Sequence, residues 1–106
     1  MPAPGAPRGE APFRFTLLAR AYCHLCDEMR DALLPLARAH GATIDVVDVD
    51  AAGNEALEAA WGDRVPALFA GAPDPARELC HYHLDRRRVE AALTGAGKLA
   101  RNPEIR

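Results

Sequence analysis

No stretch of this sequence approaches the roughly 20 apolar residues that cross a bilayer, so neither a membrane span nor a membrane partner is expected. There is no surplus of one charge either: 13 basic side chains stand against 15 acidic ones, a net charge of −2. A nucleic-acid binder carries a basic excess, so nucleic acid is not an expected partner. Cysteine is scarce, three in 106 residues. A small odd number does not build a disulfide scaffold and suits a reactive pair plus one free thiol. The opening Met1-Pro2-Ala3-Pro4-Gly5-Ala6-Pro7-Arg8 lacks the apolar core of a secretory signal, which points to the cytoplasm. What is present is an ordinary globular composition, 49% hydrophobic and 26% charged. The length fits one domain with a modest core, expected as a monomer.

Two of the three cysteines stand close together, in Ala21-Tyr22-Cys23-His24-Leu25-Cys26-Asp27-Glu28. The apolar run Phe13 to Ala19 before them reads as a strand buried on both faces. Asp27 to His40 after them reads as a helix, with Met29, Leu33, Leu36, Ala37 and His40 at three- and four-residue steps. Pro35 falls inside it and predicts a kink near Asp31 to Leu34, and Gly41 ends it. A strand ending in C-x-x-C at the start of a helix is the arrangement of a thiol–disulfide site. With Cys23 as N-cap, its sulfur faces the free N–H groups of the first turn, which favour thiolate. Cys26, one turn on, is placed to attack a mixed disulfide formed on Cys23. The alternatives at this point are half a zinc site or two buried apolar residues.

The rest of the chain supplies a scaffold. Residues 1–12, with four prolines, read as a disordered tail. Thr43 to Val49 reads as a second strand, giving a right-handed βαβ unit. Asp45, Asp48 and Asp50 are expected as solvent-facing and capping residues rather than a metal cluster. Asn54 to Trp61 reads as a short helix stopped by Gly62, with Trp61 as core anchor. Arg64-Val65-Pro66-Ala67-Leu68-Phe69-Ala70 reads as a strand whose proline sits at its head, where no ladder donor is needed. Gly71 to Pro75 is a turn. Glu78 to Leu84 alternates as a strand, Leu79, His81 and His83 on one face, Cys80, Tyr82 and Leu84 on the other. Asp85 caps a last helix, Arg86 to Thr94, that Gly95 stops. Residues 95–106 form the second tail. Arg86, Arg87 and Arg88 are read as a solvated face, with an anion-binding rim as the functional alternative.

Cys23-His24-Leu25-Cys26-Asp27-Glu28-Met29, the Val-Asp-Val-Asp at 47–50, Arg64-Val65-Pro66 and Leu79-Cys80-His81-Tyr82 together resemble a group of small bacterial glutaredoxin-like proteins. The resemblance covers Phe13 to about Leu93. It implies an α/β thioredoxin fold, β-α-β-α-β-β-α, over residues 13–94. That fold is a four-stranded mixed sheet in the order 2-1-3-4, with three helices and only the first two strands parallel. It also implies a cis Val65–Pro66 bond beside the cysteines. The implied activity is thiol–disulfide exchange in cell redox homeostasis, with Cys23 as nucleophile, Cys26 as resolving thiol and Pro66 holding the substrate chain beside them. Protein disulfides are the implied partners, and glutathione the one possible cosubstrate; no other cofactor is expected.

Further residues follow by position. Arg20 matches the basic residue three before the first cysteine, suited to a glutathione carboxylate or to the Cys23 thiolate. Val65 offers its backbone to a ligand, Arg64 stands where the family has threonine, and Tyr22 adjoins the nucleophile. His24 replaces the family's proline, and an imidazolium there would lower the Cys23 pKa. His83 and Leu84 replace two glycines that leave backbone open to glutathione, which predicts weaker glutathione binding. Cys80 is expected as a buried apolar residue. Two rival functions remain at this stage. One is a metal or iron–sulfur site using Cys23 and Cys26, extended by Cys80 and His83. The other is a non-catalytic interaction module.

Overall fold

The computed structural model describes residues 13–101, with side chains from 13 to 95; the expectations for 1–12 and 102–106 lie outside the described residues. The elements in order are β1 (Arg14–Ala19), α1 (His24–Ala39), β2 (Thr43–Asp48), α2 (Glu55–Trp61), β3 (Ala67–Ala70), β4 (Glu78–His81) and α3 (Arg86–Arg101). The sheet order is β2-β1-β3-β4, with β1 and β2 parallel and the other two pairings antiparallel. Sheet order, strand directions and the three helices all agree with the thioredoxin-fold expectation. No described helix is long and apolar enough to cross a membrane.

Alternation along the two central strands builds a core on each face of the sheet. Phe15 and Leu17 of β1 and Leu68 of β3 pack with Met29, Leu33 and Ala37 of α1 and Val89 and Leu93 of α3. Leu18, Ala67 and Phe69 point the other way, onto Val49 and Trp61. Trp61 meets Phe69 edge to face, ring centroids 4.8 Å apart, and is the anchor its sequence position promised. The apolar stripe of α1 is Cys26, Met29, Leu33 and Ala37; His40 is not part of it but is the exposed C-cap. Gly41 at φ +67 closes that helix. Its N–H donates to the Arg38 carbonyl, and the Ala42 N–H reaches back to Ala37, a Schellman ending. Pro35 sits on the exposed side of α1 without interrupting it. Asp45, Asp48 and Asp50 are all exposed: Asp45 pairs with Arg14, and Asp48 accepts the Asp50 N–H.

Three expectations are corrected. Helix α1 begins at His24, three residues before Asp27, because Cys23 is its cap. Gly62 does stop α2, as its C-cap. At φ −57 it leads into a 3₁₀ turn, Gly62–Arg64, and a Cβ there would strike the Glu58 carboxylate and come within 3.0 Å of the Arg20 guanidinium. The fourth strand stops at His81 because Tyr82 turns to φ +65, and its alternation is broken by a bulge. Cys80 pairs with Leu68 but Glu78 with Phe69, so Leu79 is an extra residue. Leu79 and Cys80 therefore both pack on the α1–α3 side instead of facing opposite ways. Finally, Gly95 does not stop α3, which runs to Arg101. A glycine inside a helix costs only about 1 kcal/mol relative to alanine, which neighbouring packing outweighs.

Asp85 does cap α3: its carboxylate accepts the Arg88 N–H at 3.1 Å and its carbonyl the Val89 N–H at 3.0 Å. Asp85→Ala is expected to cost about 1 kcal/mol, within the 0.5–2 kcal/mol of lost N-caps. Urea unfolding followed by circular dichroism measures it, and a change under a few tenths would mean the cap contributes nothing.

Candidate functional site

Strand β1 delivers the chain to the carboxyl end of the sheet, and three residues, Arg20-Ala21-Tyr22, turn it into α1. So short a turn puts Tyr22 at φ +59, with its side chain wholly in solvent. Cys23 follows as N-cap with extended backbone (φ −109, ψ 104). Its carbonyl accepts the Asp27 N–H at 3.1 Å, and its Sγ accepts the Cys26 N–H at 3.1 Å. The sulfur thus takes the place that an oxygen holds in a usual cap, against the positive end of the helix dipole. Cys23 and Cys26 are joined in a disulfide, Cα atoms 5.2 Å apart. The two are not equivalent: Cys23 is half-buried, whereas Cys26 is 3% exposed under the helix.

Cys26 is reached from behind by a cavity of about 200 Å³. Its floor is Leu17, Ala19 and Val46, and its charged walls are Arg20, Asp27, Arg30 and Asp48. The exposure of Val46 on an otherwise core-facing register position comes from this opening.

The second half of the site is the head of β3. Leu18 pairs with Ala67, so Pro66 stands level with Ala19, at the end of the sheet from which the cysteine turn departs. The Val65–Pro66 bond is cis, as expected from the family pattern. The Pro66 carbonyl accepts the Tyr82 N–H at 2.8 Å, and the Tyr82 hydroxyl donates to the Asp63 carbonyl at 2.6 Å. Val65 ends the 3₁₀ turn Gly62–Arg64 with extended backbone (φ −75, ψ 144).

The arginines are held in place by the protein itself. Arg20 donates to the Gly62 carbonyl at 3.1 Å and lies 3.5 Å from Glu58 and 3.7 Å from Asp50, so it straps the end of β1 to α2. Arg64 donates to the Ala60 carbonyl at 3.1 Å and lies over the Trp61 ring at 4.5 Å. His24 is exposed and its Nε2 meets the Glu28 carboxylate at 2.8 Å, so any imidazolium charge is shared with a neighbouring anion. In the basic triplet, Arg86 pairs with Glu90 at 2.9 Å and Arg88 donates to the Glu78 carbonyl at 3.2 Å. Burial pushes the Cys80 thiol up from its ordinary range, so it stays protonated. Among the described residues no group of three or more histidine, cysteine or acidic side chains is gathered as a metal site. Cys80 and His83 are therefore not brought to the cysteine pair. Sequence reasoning missed Tyr82 and the cavity behind Cys26. Nothing in a period-two pattern signals a left-handed tyrosine.

Residues 14–94 match the glutaredoxin-like domain (DUF836). The chain belongs to this family. A solution NMR structure of a Nitrosomonas europaea protein is 36% identical, covers 86% of this chain and 96% of its own, and superposes with a TM-score of 0.61. An X-ray structure of an X. campestris protein is 43% identical over 76% of this chain and 96% of its own, TM-score 0.54. An uncharacterized Mycobacterium tuberculosis protein is 33% identical over 80 residues, 73% of this chain and 78% of that one. Thioredoxin 1 of Thermosipho africanus, at 16% identity, covers 84% of this chain and 99% of its own with a TM-score of 0.56, a likeness of fold alone. In this glutaredoxin-like chain the cysteine pair, the helix start and the cis proline occupy one end of one sheet.

Proposed function

We propose that this glutaredoxin-like domain is a cytoplasmic thiol–disulfide oxidoreductase that acts in cell redox homeostasis. In its dithiol form the Cys23 thiolate attacks a target disulfide, forming a mixed disulfide and releasing the first target thiolate. Cys26 then loses its proton and attacks the Cys23 sulfur. The Cys23–Cys26 disulfide forms, the second target thiol leaves, and two electrons have passed to the target. Two equivalents of an external thiol, themselves joined into a disulfide, return the pair to the dithiol. One observation carries the reading: Cys23 caps α1 with its sulfur on the Cys26 N–H and is only half-buried, while Cys26 is buried one turn behind. Arg20 and Arg64 act through structure in this reading, fixing the two loops that hold Cys23 and Pro66 together.

Protein disulfides are the proposed substrates of a monomer, with glutathione a weaker cosubstrate. Arg20, Arg64, Arg86 and Arg88, which could pair with its carboxylates, are already engaged, and surface ion pairs contribute only about 0–1 kcal/mol. The position with glycine's preferred left-handed backbone carries Tyr82. His83 and Leu84, which follow it, bring side chains to the positions where the family's two glycines leave backbone open to glutathione.

The test is alkylation of the reduced protein against pH, read residue by residue by mass spectrometry. Cys23 should react first, with an apparent pKa below the ordinary thiol value of about 8.5 and inside the roughly 3.5–7.5 range of helix-start cysteines. Cys26 and the protonated Cys80 should lag at least about tenfold at pH 7. If Cys26 leads, the roles are reversed. If no thiol titrates below about 8.5, the redox reading fails.

A further inference from the structure

A second cavity lies at the end of the sheet opposite the cysteine pair. It measures about 390 Å³, and its apolar walls are Phe13 before β1, Ala70 at the end of β3, Ala76 and Leu79 around the start of β4, and Ala91 and Ala92 of α3. The cysteine turn leaves the other end of β1, so the length of that strand, about 20 Å, separates the two sites. Thiol–disulfide exchange makes no use of this cavity.

The charged groups that line it are Arg77, Glu78 and Arg88. The Glu78 carboxylate is turned to His81 Nδ1 at 2.8 Å, and among the described residues neither arginine is paired with a carboxylate. Arg77 is seated over Gly71, which is at φ +98; a Cβ there would stand 3.0 Å from the Arg77 Nη1. Arg88 uses one N–H on the Glu78 carbonyl at 3.2 Å, and a guanidinium carries several more. Gly95 also lines the cavity, from inside α3. Glycine weakens a helix, and packing does not require one here, because a Cβ would meet no atom of the described residues within 4 Å. Its missing side chain leaves the cavity open.

We propose that this cavity is a binding site for a small organic carboxylate with a compact apolar body. The body replaces water against Phe13, Leu79 and the alanines. The carboxylate sits at the rim with Arg77 and Arg88, whose planar N–H forks match its two oxygens. A bare inorganic anion would leave the apolar walls in water, and an amine would meet two arginines. At about 30 Å³ per water-sized group the cavity holds about a dozen non-hydrogen atoms, the size of an aryl- or branched alkanoate.

The experiment titrates the full, oxidised chain with 2-naphthylacetate and reads backbone amide NMR shifts. Two controls keep the body and change the head: 2-(2-naphthyl)ethanol is neutral and 2-(2-naphthyl)ethylamine is cationic. The carboxylate should shift the amides of Leu79, Arg88 and Ala92 with a Kd below about 1 mM. The alcohol should bind at least about fivefold more weakly, and the amine more weakly still. Arg77→Gln with Arg88→Gln should bring the carboxylate to within about twofold of the alcohol. Gly95→Leu should abolish binding of all three while circular dichroism keeps its helical signal, since leucine is the better helix former. No shift at those amides in wild type overturns the proposal, as does binding that ignores the charge of the head. A carboxylate preference kept by the double glutamine form, or binding kept by folded Gly95→Leu, overturns it as well. If Gly95→Leu loses its helical signal, the glutamine comparison decides.

Discussion

Cys23→Ser is expected to lower disulfide exchange to the rate of buffer alone, whereas Cys26→Ser leaves the first attack intact and halts the reaction at a mixed disulfide. The asymmetry follows from position. A hydroxyl at 23 still caps α1, since it can accept the Cys26 N–H as sulfur does, so the fold survives the change. It cannot form a sulfur–sulfur bond, and Cys26, 3% exposed, is screened from an incoming protein. Removing Cys26 instead leaves Cys23 half-buried at the surface and still activated by the helix start. No thiol then stands behind it to release the substrate, because Cys80 packs among core residues on the α1–α3 side. Mass spectrometry of each variant after incubation with a disulfide protein distinguishes the outcomes. A stable adduct on Cys23→Ser, or rapid turnover by Cys26→Ser without added thiol, would reverse or dissolve the assigned roles.

The parts of the site legible in the sequence are those whose physics is local. The buried run before Cys23 and the amphipathic run after Cys26 reveal a strand-to-helix turn, and a cysteine at such a turn has the free N–H groups of a helix start beside it. The proline at the head of β3 is legible because it cannot donate to a ladder. What was hidden depends on distant partners. Arg20 reads as a free cation until Gly62 and Glu58, some forty residues on, are seen to hold it. Gly62 reads as a helix stop, but its lack of a side chain makes room for that strap. Leu79 and Cys80 look like alternating neighbours, and only the offset pairing with β3 turns both inward. Tyr82 reads as a strand residue because its left-handed turn is imposed by the bonds to Pro66 and Asp63. Propensity is a weak guide where tertiary hydrogen bonds set the backbone.

Phe15→Ala is expected to destabilise the domain by about 3–5 kcal/mol, the range for aromatic truncations in a core. Phe15 has no exposed surface and lies in β1, which pairs with β2 on one side and β3 on the other. Its ring meets Phe13 edge to face at 4.9 Å and shares a cluster with Met29, Leu33, Val89 and Leu93, so the cavity left behind opens between the sheet and both long helices. A domain of this size has about 5–15 kcal/mol in total, so the variant keeps a folded state with little reserve. At about 4–8 °C per kcal/mol, its melting point should fall by at least about 12 °C. Val46→Ala on the exposed edge strand should change stability by under about 0.5 kcal/mol. Trp61 supplies an independent probe, because it is buried on the opposite face of the sheet against Phe69. Its fluorescence and the far-ultraviolet circular dichroism should lose their signals together in urea if both cores unfold as one unit. A Phe15→Ala variant less than about 1.5 kcal/mol weaker than wild type would mean that the helices close over the gap, since large-to-small costs depend on how far a site can collapse. Because β1 runs straight into Arg20-Ala21-Tyr22-Cys23, the accessibility of Cys26 to alkylation should rise at the same urea concentration, tying the geometry of the thiol pair to the strand that carries it.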